Sequence, residues 1–156
     1  MDITDLLAPE AVLPPLRTHN KKQLLHELAA RAAEFTGLPE RRILETLTER
    51  ERLGSTGMGQ GIAIPHGRLS GLPRIFAMFV RLESPIPYDA IDDQPVDLVF
   101  LLLSPEDAGA DHLKALARIS RLLRNHTTCE KLRAANRPEV LYAVLTEHTN
   151  GHQQAA

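Results

Sequence analysis

The residues most able to do chemistry lie in and around the run GSTGMGQGIAIPHG, Gly54 to Gly67, which carries glycines at positions 54, 57, 59, 61 and 67. Glycine permits positive φ and close approach to the backbone, so such a loop suits a place where a ligand or partner touches main chain. The run ends in Pro65-His66-Gly67. Proline removes a backbone donor and should stop a strand, and Gly67 has no side chain to shield the imidazole. His66 is therefore expected at an accessible strand end, held by a stiff backbone. Neutral imidazole, with an unperturbed pKa of about 6.5, is the best nitrogen nucleophile available near pH 7.

A second histidine, His112, follows Asp111 at an expected helix start and shares a helical face with Leu116, Ile119 and Leu123. Two readings of it stand side by side: a satisfied core histidine, or a neutral imidazole that orients a partner histidine or contacts a bound anion. A phosphoryl group carried on histidine would need a cation, hydroxyls or backbone donors nearby. Arg50 ends the helix that feeds the glycine loop, Ser55 and Thr56 open the loop, and Gln60 adds an amide. Together they make a plausible phosphate cradle with no nucleotide pocket.

Other chemistries fit poorly. The dinucleotide fingerprint fails because position 62 is Ile and the loop precedes a strand. No Gly-Lys-Ser/Thr closes a Walker A loop, and the companion motifs of a kinase glycine loop are missing. Two histidines without a third ligand at metal spacing make a poor zinc site, so no metal and no cofactor are expected. The acidic cluster Asp89, Asp92, Asp93 and Asp97 does not match a calcium loop and reads as turn chemistry before a strand.

The elements that must position these residues follow from periodicity. A first helix is expected over 20–36, with Asn20 and Gln23 as a capping box, Leu24, Leu28, Ala32 and Phe35 as its stripe, and Gly37 as its stop. A second helix opens with Pro39 as its first residue and buries Ile43, Leu44 and Leu47 before Gly54. Its charged run Glu49, Arg50, Glu51, Arg52 reads mostly as a solvated face. Strands are expected over 62–64, 75–80 and 96–103, and helices over 111–124, 128–135 and 138–147. The near-continuous apolar strands imply burial on both faces, hence an α/β layered domain with a mixed sheet.

The 156 residues and 17.3 kDa fit one domain, which at this length buries roughly 70% of its unfolded surface. Residues 1–148 are assigned to that domain and 149–156, with His148 beside them and His152 among them, to a flexible tail. With 43% hydrophobic and 24% charged residues the chain is neither disordered nor membrane-spanning. A net charge of −2 argues against nucleic-acid binding by whole-chain electrostatics. The acidic start and the single Cys129, expected to be half-buried, point to the cytoplasm.

The segments TERERLGSTGMGQGIAIPHG, PIPYDAIDDQPVDLVFLLLSP and DHLKALARISRLL resemble the fructose/mannitol class of type IIA domains of the bacterial phosphotransferase system, and the likeness covers roughly residues 2–147. Within that family the glycine-loop-to-histidine segment is most similar to the nitrogen-regulatory members. The resemblance implies a single-domain mixed sheet of about five strands, flanked by helices on both faces. It implies that His66 is phosphorylated, as a tele-phosphohistidine, by the small histidine phosphocarrier NPr, itself charged from phosphoenolpyruvate through a dedicated enzyme I. His112 would then be the second active-site histidine, and Arg50 the charge that stabilises the phosphate.

The resemblance further implies a phosphotransferase with a mainly regulatory role, its phosphorylation state controlling binding to targets in nitrogen, carbon and potassium homeostasis, such as potassium-transport or sensor-kinase components. Docking needs an exposed apolar rim, for which Met58 and Ile62 are candidates, with core packing as the alternative for Ile62. Two other readings stay open: a sugar-specific IIA component that passes phosphate to a IIB domain, and a binding module that is never phosphorylated.

Overall fold

Helical periodicity before residue 54 and strand-like apolar runs after it become successive layers of one mixed structure. A short helix α1 (Ile3–Leu6) and a 3-10 turn (Pro9–Ala11) precede α2 (Lys21–Thr36) and α3 (Glu40–Leu53). Three short strands follow, β1 (Gly57–Gly59), β2 (Ile62–Ala63) and β3 (His66–Leu69), then two long ones, β4 (Phe76–Ile86) and β5 (Val96–Pro105). The chain then forms α4 (Gly109–Leu123), α5 (His126–Ala134) and α6 (Pro138–Ala155). This computed structural model describes the backbone of residues 1–155 and the side chains of residues 1–147. The expected tail 149–156, with His148 and His152, lies outside the residues whose side chains are described.

The five strands form a mixed sheet whose axis is β5. β4 runs antiparallel along one edge, from Phe76 opposite Leu103 to Ile86 opposite Val96. Both β2 and β3 run parallel along the other edge, one after the other. Residues 98–104 of β5 are all 0% exposed, which explains why the run is apolar without alternation. α2 and α3 pack on β4 and β3, and α4 and α5 pack on β5. Beyond β4, Val12 and Leu16 make isolated parallel bridges to Phe79 and Leu82, an edge contact that periodicity does not reveal.

Several local expectations need correction. Pro39 is the N-cap of α3, with ψ 131, so Glu40 and not the proline is the first helical residue. Asn20 does cap α2 through Gln23 N–H at 2.8 Å, but the Gln23 side-chain Oε1 accepts from His19 N–H and not from Asn20 N–H, which breaks the reciprocal box. Phe35 is 43% exposed and stacks on Phe76 instead of joining the buried stripe. α4 begins at Gly109, so His112 is its fourth residue and not its start. Cys129 is buried outright, its thiol donating to the Leu123 carbonyl.

The charged end of α3 is not a uniform solvated face. Leu47 and Glu51 are one helical turn apart, so position 51 continues the apolar stripe. The Glu51 side chain is 6% exposed and forms an ion pair with Lys21 at 2.9 Å. It accepts from the Thr56 backbone N–H at 3.0 Å, from the Thr56 hydroxyl and from the Tyr88 hydroxyl at 3.1 Å. Lys21 also lies over the Tyr88 ring. One buried carboxylate thereby ties α2, α3, the glycine loop and the segment after β4 together.

Glycines 54, 59 and 61 adopt positive φ, whereas Gly57 and Gly67 are set by close packing instead. A Cβ at Gly67 would stand 2.4 Å from Thr46 Cγ2, so the missing side chain lets α3 approach β3.

Two outcomes follow from these contacts. Glu51→Ala should lower stability by about 3 kcal/mol, because it leaves Lys21 and buried donors without their partner, while Glu49→Ala changes it by less than about 0.5 kcal/mol. Equal urea midpoints for the two variants would contradict this. Gly67→Ala should cost roughly 1–3 kcal/mol by overpacking, and adding Thr46→Ser, which removes the opposing methyl, should recover most of the loss.

Candidate active site

Strand register brings the reactive residues together. β3 pairs with β5 so that His66 lies opposite Leu102 and Arg68 opposite Ser104. Side chains two apart in a strand share a face, so His66, Arg68 and Ser104 emerge on the same side. Pro65, which cannot donate, marks the break between β2 and β3, and its carbonyl accepts from Leu102 N–H at 3.0 Å. His66 thus begins a further strand after the break instead of standing at the end of one, and it is half-buried, not freely accessible.

The imidazole of His66 is held at both nitrogens. Nδ1 lies 2.7 Å from the Ile64 carbonyl, an oxygen that can only accept, so Nδ1 carries the proton. Nε2 therefore keeps its lone pair, and Arg50 Nε–H donates to it at 3.2 Å. Arg50 is itself steadied by Nη1 donating to the Gly54 carbonyl at 2.9 Å. Burial pushes the His66 pKa below 6.5; the Ile64 carbonyl opposes this, the Arg50 charge adds to it, and Glu51 opposes it weakly.

His112 faces this ring from α4, with centroids 5.5 Å apart and planes tilted by 48°. It is 8% exposed, and its Nδ1 lies 2.6 Å from the hydroxyl of buried Ser104. Burial lowers its pKa to about 4, helped by the charges of His66 and Arg68. Both readings of His112 describe it in part: it is a satisfied, largely buried histidine, and it lines the same cleft as His66.

His66 separates two depressions of about 630 and 410 Å³, both bordered by Arg50 and Leu116. Arg68 and His112 line the larger, and Ser55, Thr56 and Met58 the smaller. An anion on His66 Nε2 would meet the Arg50 guanidinium at once, with Arg68 on the adjoining wall. Such a site supplies charge and position, which is most of what phosphoryl transfer between nitrogens requires. Among the described residues no group of three or more His, Cys, Asp or Glu side chains is arranged to hold a metal.

The remaining loop residues divide. The Ser55 hydroxyl donates to the Tyr88 carbonyl at 2.9 Å and accepts from Gly57 N–H, and the buried Thr56 side chain is committed to Glu51 and Tyr88. Both hydroxyls therefore shape the loop, which corrects their expected place as free phosphate donors. Gln60 is also corrected: it lines neither depression, and its backbone N–H donates to Asp92 while its backbone carbonyl accepts from Arg133. Ile62 is 6% exposed core and cannot form a rim, whereas Met58 is 48% exposed. Leu53 and Leu113, 85% and 67% exposed, flank the larger depression.

Sequence reasoning passed over Arg68, Ser104, Leu53 and Leu113. Arg68 carried a signal, since it lies two residues from His66 on the same strand face; the other three depend on how α3 and α4 pack. The expected turn role holds for three of the four acidic residues, with Asp89 and Asp93 at positive φ and Asp92 accepting from Gln60 and Gln94 N–H, whereas Asp97 lies within β5 and pairs with Arg133 at 2.9 Å.

Residues 5–148 match the family model described as phosphoenolpyruvate-dependent sugar phosphotransferase system, EIIA 2. A nitrogen regulatory protein of Bradyrhizobium diazoefficiens is 59% identical over 145 residues, 93% of this chain and 95% of that protein. The nitrogen regulatory protein of Escherichia coli K12 is 40% identical over 148 residues, 94% and 91% of the two chains. The crystal structure of nitrogen regulatory protein IIA-Ntr from Neisseria meningitidis superposes with a TM-score of 0.87 at 35% identity, covering 92% of this chain and 99% of that one. Among the described residues no helix is long and apolar enough to cross a membrane. With this cleft, this sheet and these relatives, the chain belongs to the EIIA 2 family of the phosphotransferase system, among its nitrogen regulatory proteins.

Proposed function

We propose that this protein is a regulatory phosphocarrier of the nitrogen branch, and that His66 accepts a phosphoryl group from the phosphohistidine of an NPr-type carrier. The observation that carries the reading is the unprotonated Nε2 of His66, held under the Arg50 guanidinium. The Nε2 lone pair forms a bond to phosphorus as the donor's N–P bond breaks, and the donor imidazole leaves with its electron pair. The proton on His66 Nδ1 stays where the Ile64 carbonyl holds it. Arg50 turns from the nitrogen to the phosphoryl oxygens, Arg68 adds charge from the neighbouring wall, and His112 contacts the group from α4. The carrier itself receives phosphate from phosphoenolpyruvate through an enzyme I.

The regulatory half of the reading rests on the exposed apolar side chains Leu53, Met58 and Leu113 around a site that gains negative charge. A phosphoryl dianion at the centre of an apolar docking surface weakens one set of complexes by desolvation and repulsion, or completes another through cation pairing. Targets in nitrogen, carbon and potassium homeostasis, including potassium-transport or sensor-kinase components, and a cytoplasmic setting belong to this proposal. It is favoured over the sugar-transport reading by the higher identity of the nitrogen regulatory proteins, 59% and 40%, against 33% for a fructose-specific EIIA component.

Incubation with phosphoenolpyruvate, enzyme I and NPr should add one acid-labile phosphoryl group to the wild type and none to His66→Ala, as read by intact mass. No mass change with NPr or with a sugar-branch carrier would overturn the proposal.

The titration of the pair is a separate expectation. Both folded-state pKa values lie below 6.5, with His112 at about 4, so the unfolded chain binds more protons between those limits. The contribution to stability is complete above pH 6.5 and is lost as pH falls towards 4. The urea midpoint should therefore decline over that window, and less steeply in His112→Asn. Identical slopes in the two proteins would show that His112 titrates normally.

A further inference from the structure

The last inward side chain of β5, Ser104, is 0% exposed, and its hydroxyl has one hydrogen-bond partner among the described residues, His112 Nδ1 at 2.6 Å. A neutral imidazole carries one proton, on one nitrogen or the other, and heavy-atom distances alone do not distinguish the two. Donor accounting does. If Nδ1 held the proton, Ser104 would have to accept, and its own hydroxyl proton would be stranded in the core. If Ser104 donates, every buried donor of the pair is used.

We infer that Ser104 is a positioning residue that holds His112 as the Nε2–H tautomer, so that this ring offers an N–H donor to a phosphoryl group on His66. The two rings then carry complementary tautomers. His66 is protonated at Nδ1 by virtue of the Ile64 carbonyl and bare at Nε2, and His112 is bare at Nδ1 by virtue of Ser104 and protonated at Nε2. The ring that must attack presents a lone pair. The ring beside it presents a donor and does not compete for the phosphorus. With the opposite tautomer, His112 would turn a lone pair towards an anionic group, and the cleft would lose a donor while gaining a repulsion.

The strand register makes this arrangement specific to position 104. Arg68 lies opposite Ser104 on β3, so the same rung of the sheet supplies both the hydroxyl that orients His112 and a guanidinium on the cleft wall. Among the described residues the Ser104 hydroxyl makes no hydrogen bond to His66 and Ser104 lines neither depression, so it acts through His112. The part of the inference that concerns transfer rests on the phosphoryl-acceptor reading of His66, and the part that concerns the tautomer does not.

The test is a long-range ¹⁵N–¹H correlation of the histidine rings in the unphosphorylated protein at neutral pH, which needs no phosphate donor. The wild type should show His112 with an unprotonated Nδ1 and a protonated Nε2. Ser104→Ala should show a mixture of tautomers, and Ser104→Thr, which keeps the hydroxyl, should restore the wild-type pattern. Transfer from phosphorylated NPr should fall by about tenfold or more in Ser104→Ala and recover in Ser104→Thr. A wild-type spectrum with the proton on Nδ1 overturns the inference and leaves the role of His66 intact, as does an unchanged tautomer in Ser104→Ala. If neither variant folds, the wild-type spectrum still decides. Failure of the wild type to take up phosphate, with the expected tautomers present, would remove the functional reading and confine Ser104 to orienting His112.

Discussion

The contact on which the site depends is the hydrogen bond from His66 Nδ1 to the carbonyl of Ile64, two residues earlier in the same chain. It is available because of strand alternation: the Pro65 carbonyl faces β5 and accepts from Leu102 N–H, so the Ile64 carbonyl, one residue earlier, faces away from β5. That leaves the oxygen for the imidazole, and through it the chain chooses which nitrogen of His66 keeps a lone pair. Arg50 could not donate to Nε2 otherwise.

Around that contact the protein commits its buried polar groups to geometry more than to charge. Glu51, one residue beyond Arg50, points into the structure and gathers Lys21, Thr56 and Tyr88. Removing both partners of such a pair can be nearly neutral, but removing one strands a charge, so the network fixes the loop conformation more than it adds net stability. Burial also pushes the Tyr88 hydroxyl pKa well above its ordinary value, so Tyr88 remains a neutral donor to Glu51. Because Arg50 sits on the same final turn of α3, whatever fixes Glu51 also fixes the direction from which the guanidinium reaches His66.

The cleft therefore holds two neutral imidazoles and two arginines around one nitrogen lone pair. A carrier must accept a dianion and release it again, which a site of several convergent cations would hinder. On the proposed role of His66, one guanidinium in contact with Nε2 and a second on the adjoining wall would give moderate stabilisation. The second ring, kept neutral by burial, adds a dipole and not a full charge. The exposed Leu53, Met58 and Leu113 surround this centre, so a partner that covered them would also exclude water from His66 Nε2.

Much of this was legible in the residues themselves. The helical stripes of α2 and α3 apart from Phe35, the buried strands, the missing donor at Pro65 and the turn chemistry of Asp89, Asp92 and Asp93 follow from local rules of spacing and backbone conformation, which act over a few residues and survive without a fold. Resemblance carried the reading further, to a family that the relatives then established. What the sequence could not decide was direction and depth. Glu49, Arg50, Glu51 and Arg52 read alike as a charged run, yet one is buried, one meets His66 and the other two pair with each other at the surface. Ser55, Thr56 and Gln60 have the chemistry to bind phosphate, yet the two hydroxyls are engaged by the Tyr88 carbonyl and Glu51, and Gln60 lines neither depression beside His66. Ile62 and Met58 are both apolar loop residues, and only strand pairing sends one inward and the other out. The decisive partners, Lys21 for Glu51, His66 for Arg50, Tyr88 for Ser55 and β5 for Ile62, lie beyond the reach of local rules, and their positions exist only once β5 is buried and its neighbours are in register.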